Sequence, residues 1–286
     1  MKTAVVWAFC FDFGVNRFLP LRFHCFRYLM DRLIDKASSH RKANGRKGER
    51  GSMAEYSRSN PSPRYRELIG MYRDMHEHGI PEQNLPASET FDGRSLKSHA
   101  GIIKSIIDIM GSQTILDYGA GKGTQYRPEK IATQDGDFPD IKSFWGVDAI
   151  TCYDPGNAEF DTLPDGRFDG VISTDMLEYC PSENLPWVID EIFSFADEFL
   201  YLNVAWYPAL KVLPDGENAH VTIEPTDWWK NRFDAAVTAH PGLRYFTCFD
   251  VLERGPDGKD KFTPLMGKGK SKPKHPGGKA LTIDPI

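Results

Sequence analysis

The chain has 286 residues, 40% of them hydrophobic and 26% charged, with a formal net charge of −5. This length suffices for one well-buried domain with extensions, and no apolar run reaches the length of a membrane-spanning helix, so we expect no membrane partner. The acidic balance disfavours a nucleic-acid partner, and five cysteines without a Cys-x-x-Cys pair disfavour a zinc site or a disulfide framework and favour a cytoplasmic location.

Residues 1–52 differ from the remainder in charge. They hold eleven Lys or Arg against four Asp or Glu, which leaves a net charge of −12 for the rest of the chain. An apolar run near the start suggests a signal peptide, but Asp12 and Arg17 interrupt it and no small-residue cleavage site follows. The composition of residues 36–52 predicts disorder. We therefore expect either a disordered extension or upstream sequence ahead of a natural start at Met53.

Two helices are predicted ahead of the first strand. Apolar residues recur at helical spacing within 61–79, and isoleucines form a stripe within 95–110, where Gly111 ends the pattern. The first of these helices and the loop after it make residues 53–92 a predicted N-terminal helical cap.

The chain from 93 to 266 alternates between apolar strands and helices. Strands are expected at 115–118, 149–153, 168–174 and 199–204, a helix at 185–197, and a closing hairpin at 243–252 and 261–265. The alternation predicts an α/β fold, in which a mostly parallel sheet lies between two helical layers and the C-terminal hairpin adds an antiparallel strand. Residues 267–286, rich in Lys, Gly and Pro, are predicted to form a basic flexible tail.

A glycine loop, residues 119–123, follows the first predicted strand. Residues 114–123 have the sequence Thr-Ile-Leu-Asp-Tyr-Gly-Ala-Gly-Lys-Gly. The three alternating glycines permit backbone angles and close approaches that a Cβ would block. We expect the loop to cradle a ligand with its backbone N–H groups at a helix N-terminus, through Tyr118, Gly119, Gly121, Lys122 and Gly123. Asp117, at the end of the strand, suits a ligand with a cationic centre and disfavours a bare phosphate.

The stretch 116–123 resembles motif I of the class I S-adenosylmethionine (SAM)-dependent methyltransferases, which have a Rossmann-like fold. The resemblance implies that SAM lies over the carboxyl ends of the strands, with Asp117 anchoring its methionine part. Three other interpretations stay open. An adenylate-kinase-type phosphate loop would need a glycine at Leu116, and a dinucleotide-binding loop would need one at Thr124. The third is a tight turn without a ligand.

A second acidic residue, near the second strand, is expected to accept hydrogen bonds from the ribose hydroxyls of SAM. Asp148 and Asp154 are both candidates, and Asp154 is favoured because it follows the better strand and resembles the family's acidic motif II position. Either could instead form a turn. The chain departs from the family in the short interval between Asp154 and Asp169, which leaves Glu159 and Asp161 as adenine-contact candidates by position only.

Residues 168–179 resemble the family's fourth strand and the turn after it, Phe-Asp-x-Val followed by Leu-Glu-His. Tyr179 stands here in place of the usual histidine. The resemblance implies that Asp175 and Glu178 lie where the methyl group faces its acceptor, as catalytic candidates, and that Asp175 also contacts the cofactor. Their spacing would suit magnesium if the histidine were present. Without it we predict no metal, and capping or solvent-facing roles are the alternative for both acids.

His220 is the third catalytic candidate. It lies in a predicted loop, 205–229, that leaves the carboxyl end of a strand, where loops often carry function. An imidazole with a pKa of about 6.5 could take a proton from an acceptor hydroxyl or amine during transfer. The alternative is a histidine that orders the loop by hydrogen bonds.

The motifs together predict a class I SAM-dependent methyltransferase that acts on a small-molecule acceptor. A SAM-binding sensor, or a degenerate domain without catalysis, is the first alternative, and a nucleotide-kinase-like protein is the second. The helical cap and the loop 205–229 are expected to select the acceptor, but neither contains a motif that identifies it. The sequence predicts no oligomeric state.

Overall fold

The computed structural model describes residues 56–133, 136–254 and 260–271, with side chains for all of these except 253–254 and 260–263. The predicted extension 1–52 therefore lies outside the described residues, as do residues 272–286 of the predicted tail. Throughout the described part, no helix is long and apolar enough to cross a membrane.

The predicted helices and strands occur in the predicted order, and the structure adds short elements between residues 131 and 145 that were not predicted. The α-helices are α1 (Pro63–His78), α2 (Ala100–Met110), α3 (Ile141–Trp145), α4 (Leu185–Ser194) and α5 (Thr226–Val237). The strands are β1 (Thr114–Tyr118), β2 (Ile131–Thr133), β3 (Gly136–Phe138), β4 (Ala149–Tyr153), β5 (Phe168–Thr174), β6 (Ala196–Trp206), β7 (Arg244–Arg254) and β8 (Asp260–Lys270). Short 3-10 turns lie at Arg94–His99, Thr124–Tyr126 and Leu177–Tyr179.

Two helix boundaries differ from the prediction for a tertiary reason. The predicted helix 95–110 starts as a 3-10 turn and becomes α-helical only from Ala100, and at this junction the buried His99 ring hydrogen-bonds the Tyr201 hydroxyl of β6. The predicted helix 185–197 ends at Ser194, because Ala196 already pairs with Phe168 at the start of β6. Partners distant in the chain thus decide where each helix begins or ends.

Six strands form one sheet in the order β4-β1-β5-β6-β7-β8, and β2 and β3 form a separate antiparallel ribbon. The first five strands of this order pair in parallel, whereas β8 pairs antiparallel with β7. The fold is therefore α/β and Rossmann-like, with a mostly parallel sheet and a C-terminal antiparallel hairpin, as predicted.

The last strand is longer than predicted. Its pairing with β7 extends until Lys270 lies opposite Arg244, beyond the predicted domain end at residue 266. Residues 267–270 were expected in the flexible tail but belong to the sheet. The alternation of Gly267 and Gly269 with lysines fits this edge, because a Cβ at Gly269 would lie 2.2 Å from the Tyr245 ring on β7.

Helices cover both faces of the sheet, which gives the predicted three-layer sandwich. Successive strand residues point to opposite faces. In β1, Leu116 packs in the cluster that contains residues of α4 and α5, whereas Ile115 packs in the cluster that contains residues of α2 and α3. The same division holds in β5 for Val171 and Ile172.

The strand order places a topological switch between β1 and β5. From β1 the chain moves outward to β4 and then crosses back to β5 on the other side of β1. In open α/β sheets, ligands bind outside the carboxyl ends of the strands at such a switch point. The glycine loop follows β1 and Asp175 follows β5, so the fold brings both motifs to this crevice.

Helix α1, in the predicted cap, packs onto the body. The N-cap side chain of Ser62 accepts a hydrogen bond from Tyr65 N–H, and Pro63 begins the first turn, where a missing N–H costs nothing. The Tyr72 hydroxyl donates to the carbonyl oxygen of Tyr179 at 2.8 Å, beside the switch point. The amphipathic pattern that predicted this helix thus faces the crevice.

Candidate functional site

A cavity of about 190 Å³ lies at the switch point. The glycine loop contributes Gly119 and Gly121 to its wall, and the strand ends contribute Asp154 and Asp175. Helix α1 forms another wall with Tyr65, Leu68, Ile69, Tyr72 and His76. Small-molecule sites usually enclose about 300 to 1,000 Å³. The cavity is thus smaller than most small-molecule sites. Helix α1, which forms one wall, is held to the body by side-chain contacts and not by strand pairing.

The backbone N–H groups of the glycine loop already have partners inside the protein. Those of Gly119 and Ala120 donate to the carbonyl oxygen of Tyr153, and that of Lys122 donates to Phe91. The loop continues into a 3-10 turn, not into an α-helix. The prediction of an open N–H cradle at a helix N-terminus is therefore wrong, because neighbouring segments take up the donors.

The glycines instead allow segments to approach each other closely. Gly119, Gly121 and Gly123 all have positive φ angles, of 89°, 59° and 61°. A Cβ on Gly121 would lie 2.3 Å from the carbonyl oxygen of Phe91. Gly123 packs against the Phe160 ring and is not in the cavity wall. A phosphate loop binds through free N–H groups, so this arrangement argues against the phosphate-loop interpretation.

Asp117 does not line the cavity, contrary to its predicted role as an anchor for the ligand. Its Oδ2 accepts hydrogen bonds from Gln125 Nε2 at 3.0 Å and from the Tyr126 hydroxyl at 2.7 Å, and burial raises its pKa to about 6. The alternation of β1 points this side chain toward the α2 face of the sheet. Asp117 thus holds the turn after the glycine loop.

Asp154 lines the cavity at the end of β4 and holds two backbone segments. Its Oδ2 accepts a hydrogen bond from Gly121 N–H at 2.9 Å, and its Oδ1 accepts one from Gly156 N–H at 2.8 Å. Burial raises its pKa to about 6, while these backbone hydrogen bonds favour the ionised form. Each oxygen keeps lone-pair capacity for a further donor. Asp154 is therefore placed to accept hydrogen bonds from a ligand.

The other positional candidates do not reach the cavity. Asp148 precedes β4, at the amino ends of the strands, where its N–H donates to Gln113. The prediction that Asp148 lies in the crevice is wrong, because the crevice is at the carboxyl ends of the strands and Asp148 is at their amino ends. Asp161 pairs with Arg73 at 3.1 Å, and Glu159 is exposed.

Tyr118 and Lys122 link the site to segments that cover it. The Tyr118 hydroxyl, in the cavity wall, donates to Glu191 at 2.7 Å, and the same carboxylate pairs with Arg58. Lys122 Nζ donates to the carbonyl oxygen of His76 on α1 at 2.7 Å and is not in the wall. Burial lowers the pKa of Lys122. Both residues therefore connect the glycine loop and its strand to the segments that cover the site.

Asp175 lines the cavity in a strained conformation. Its φ angle is 50°, which is uncommon for a residue other than glycine, and such strain clusters at functional sites. Burial and the charge of Asp250 raise its pKa to about 6. Its Oδ1 has no hydrogen-bond partner among the described residues. Asp175 therefore lies in the cavity wall, and its roles in catalysis and in cofactor binding stay predictions.

Glu178 is fully buried, so a solvent-facing role is excluded. Its Oε1 accepts a hydrogen bond from Ala205 N–H at 2.9 Å, which ties the turn after β5 to the end of β6. Burial and the charge of Asp175 raise its pKa well above the ordinary value. Glu178 is not in the cavity wall. Within the described ranges, no group of three or more His, Cys, Asp or Glu side chains could hold a metal ion.

His220 is buried behind the cavity wall. Its Nδ1 lies 2.6 Å from the carbonyl oxygen of Tyr207, so Nδ1 carries the proton and donates. The ring packs edge-on against Tyr179, which does line the cavity. Burial lowers the pKa of His220 to about 4. This geometry favours the loop-ordering role, since the ring does not reach the cavity.

The buried imidazole makes stability depend on pH. In the unfolded chain His220 has its ordinary pKa near 6.5, so at pH 5 the unfolded state binds a proton that the folded state, with a pKa of about 4, does not. Stability due to His220 is therefore present at pH 7.5 and is lost as pH falls, by about 2 kcal/mol at pH 5. His220→Gln can keep the hydrogen bond to Tyr207 but cannot bind a proton. We expect its free energy of unfolding in urea to fall by about 2 kcal/mol less than that of the unaltered protein between pH 7.5 and pH 5. Burial also lowers the pKa of His76 to about 4, but this histidine is present in both proteins and its contribution cancels in the comparison. If the variant and the unaltered protein show the same pH dependence of stability, the assignment to His220 is wrong.

Comparisons of the chain with protein-family models, with curated proteins and with solved structures gave no match. The geometry of the cavity is therefore the basis for interpreting this site.

Sequence reasoning missed Lys211 as a site residue. The side chain lines the cavity, with Nζ 5.2 Å from the centroid of the Phe91 ring, and burial lowers its pKa. The charges of Asp175 and Asp92 act in the opposite direction, toward a higher pKa. One signal was present in the sequence, because Lys211 is the only Lys or Arg in the predicted loop 205–229.

Proposed function

We propose that this protein is a SAM-dependent methyltransferase whose cavity binds SAM. The observation that carries the proposal is Asp154, a carboxylate at the end of β4 that also holds the glycine loop against the cavity. A carboxylate in this position can accept hydrogen bonds from both hydroxyls of a ribose. The function rests on this geometry together with the resemblance of the two sequence motifs to the methyltransferase family.

The charges in the wall favour a cationic adenosyl compound over a nucleotide phosphate. Asp154 and Asp175 face the cavity, while Asp92 is paired with Arg94 at 3.0 Å. Among the described residues in the wall, Lys211 is the only Lys or Arg. Two carboxylates attract a sulfonium and repel a triphosphate.

In this proposal each part of SAM is assigned to residues of the cavity wall. Asp154 is assigned to the ribose, and Lys211 is assigned to the carboxylate of the methionine part. Asp175 lies toward the transferred group, and apolar side chains such as Leu68 and Met176 can enclose the rest. Bound SAM supplies an electrophilic methyl group on a sulfur that is already a good leaving group. The protein therefore mainly aligns the reactants and excludes water, and α1 is the element that closes over them.

A SAM-binding sensor without catalysis is the second candidate function. The observation in its favour is that Glu178 and His220, two of the three predicted catalytic residues, do not line the cavity. A sensor and an enzyme share the cofactor contacts and differ only in whether a methyl group reaches an acceptor.

Calorimetric titration of the full chain with SAM, S-adenosylhomocysteine and ATP tests the proposal. We expect micromolar binding of the first two compounds and none of ATP, because the loop N–H groups are occupied and the wall is acidic. Tight ATP binding, or no binding of SAM to folded protein, would refute the proposal. Incubation with methyl-labelled SAM and a metabolite extract then separates the enzyme, which labels a metabolite, from the sensor, which does not.

A further inference from the structure

A buried polar cluster adjoins the cavity at the carboxyl ends of β5, β6 and β7. We define this acidic cluster as Asp175, Glu178, Asn203 and Asp250. Asn203 and Asp250 lie on neighbouring strands, and Asn203 Nδ2 donates to Asp250 Oδ2 at 2.8 Å. The charge of Asp250 raises the pKa of both Asp175 and Glu178, so the three acids lie close enough to repel one another.

Three acceptor oxygens of this cluster have no hydrogen-bond partner in the described part of the chain. They are Asp175 Oδ1, Glu178 Oε2 and Asn203 Oδ1. Glu178 and Asn203 are 0% exposed, so water does not satisfy these atoms at the surface. Burying an acceptor without a hydrogen-bond partner destabilises a protein. The oxygens of Asp175 and Asn203 accept hydrogen bonds, and Glu178 Oε2 does so when its carboxyl group is ionised. A ligand that satisfies all three atoms must therefore bring several donors.

The protein supplies little positive charge to the cluster. His99 Nε2 lies 3.9 Å from Asp250 Oδ2, but its ring hydrogen-bonds Tyr201 and burial lowers its pKa, so this histidine is neutral at neutral pH. Lys211 and Asp175 both line the cavity, and the charge of Asp175 acts on the Lys211 ammonium. Among the described residues, three carboxyl groups therefore share the one full positive charge of Lys211, and a cationic ligand would relieve their repulsion.

The cluster is accessible from two sides. Asp175 is in the cavity wall, and the side chain of Asp250 is 22% exposed. The turn Arg94–His99 covers part of it, with the Ser95 hydroxyl on Asp175 and His99 beside Asp250. Tyr207, on the loop after β6, is close enough for the charges of all three acids to raise the pKa of its hydroxyl group. A ligand at Asp250 could thus extend toward the cavity.

We propose that the acidic cluster is an amine-binding subsite and that the methyl acceptor presents a primary or secondary amine nitrogen to it. The N–H groups of an ammonium ion match the unpartnered oxygens of Asp175, Glu178 and Asn203 in both charge and hydrogen-bond polarity. The role as an acceptor site rests on the proposed function, because SAM must lie in the adjoining cavity. The binding of an amine does not rest on it.

In the methyl-transfer step we assign Asp175 as the group that accepts the proton from the amine. The ammonium gives one proton to the Asp175 carboxylate, and the freed nitrogen lone pair forms a bond to the methyl carbon. The carbon–sulfur bond of SAM breaks, and its electron pair stays on sulfur in S-adenosylhomocysteine. The methylated amine leaves as a cation and Asp175 releases its proton to solvent. A general base acts best when its pKa lies near the working pH.

The test uses matched probes that differ only in charge at one group. We choose methylamine, n-butylamine and 2-phenylethylamine, each against the alcohol of the same skeleton, because aromatic rings of Tyr72, Phe91 and Tyr179 pack beside the cavity. Binding to the full chain at pH 7.5 is measured by calorimetry and thermal shift, with S-adenosylhomocysteine present and absent. We expect at least one amine to bind ten or more times tighter than its alcohol.

Variants assign that binding to the cluster. Glu178→Gln and Asp250→Asn keep the side-chain shapes and should each weaken the amine at least tenfold while leaving SAM affinity within twofold. Asp190→Asn, a change at an exposed acid on α4, is the control and should change neither. If the variant at the fully buried Glu178 does not fold, Asp250→Asn alone tests the assignment.

The outcomes separate this inference from the proposed function. If no amine in the set binds, if amines and alcohols bind equally, or if the two cluster variants bind the amine like the unaltered chain, the subsite is refuted. A cluster that merely shares protons internally would give that result, and Glu178→Gln would then lower the melting temperature. Selective amine binding in a protein that does not bind SAM would refute the methyltransferase function alone.

Discussion

Replacing Asp154 with Ala is expected to weaken SAM binding by about 100-fold or more, with the fold retained. The carboxylate is assigned two charged hydrogen bonds to the ribose, each worth about 1.5–3 kcal/mol. Its removal also frees the N–H groups of Gly121 and Gly156, which it holds at 2.9 and 2.8 Å. The gap between the two backbone segments then loses its bridge, so the cavity wall loosens as well. Calorimetric titration with SAM measures the effect.

Asp148→Ala is the matched control for this experiment. Both acids flank β4, but Asp148 precedes the strand, at the edge of the sheet opposite the cavity. We expect Asp148→Ala to bind SAM as tightly as the unaltered protein, and circular dichroism should show the same fold for both variants. Full SAM affinity in Asp154→Ala, or a loss in Asp148→Ala alone, would contradict the assignment of the ribose contact.

Replacing Gly121 with Ala is expected to destabilise the protein by about 3 kcal/mol or more and to weaken SAM binding. The φ angle of 59° costs an L-residue about 1–2 kcal/mol. The new Cβ would also lie 2.3 Å from the carbonyl oxygen of Phe91, a backbone atom that cannot turn aside. The Phe91 segment must therefore move, and this segment also lines the cavity. Chemical unfolding and SAM titration measure the two effects.

Gly146→Ala isolates the contribution of the φ angle. Gly146 has a φ of 70°, close to that of Gly121, and a Cβ there would meet nothing within 4 Å. We expect a loss of about 1 kcal/mol and unchanged SAM affinity, because the residue caps α3 away from the cavity. Equal destabilisation by the two changes would mean that the close approach to Phe91 contributes nothing.

Two strands were predictable to the residue because each is a short apolar run with clear boundaries. The three-residue strands β2 and β3 were missed, and β6 and β8 extend beyond both of their predicted ends. The predicted strands 149–153 and 168–174 coincide with β4 and β5. Asp154 and Asp175 were predictable as crevice residues for the same reason, since each follows a strand whose end the pattern marks. The order of strands in the sheet was not predictable residue by residue, because it depends on which way each connection crosses.

The function of the glycine loop was only partly predictable. Its alternating glycines correctly predicted tight backbone angles and a place at the cavity. The expected cradle of free N–H groups is absent from the described structure, because Tyr153 and Phe91 supply carbonyl oxygens to the loop. Asp117 was misplaced for a related reason, since the side chains of Gln125 and Tyr126 hold it away from the cavity. Such partners follow from packing and have no local signal.

By itself the sequence determined the alternation of the main strands and helices and therefore the α/β class, because hydrophobic periodicity and turn residues act within a few positions of the chain. Only the tertiary structure decided which polar groups face the cavity and which form hydrogen bonds with other parts of the protein. Asp148 and Asp154 are six residues apart and are the same residue type, yet Asp148 lies at the amino end of β4 and Asp154 at its carboxyl end. The acidic cluster likewise exists only because three parallel strands end side by side, which brings Asp175, Asn203 and Asp250 together from distant parts of the chain.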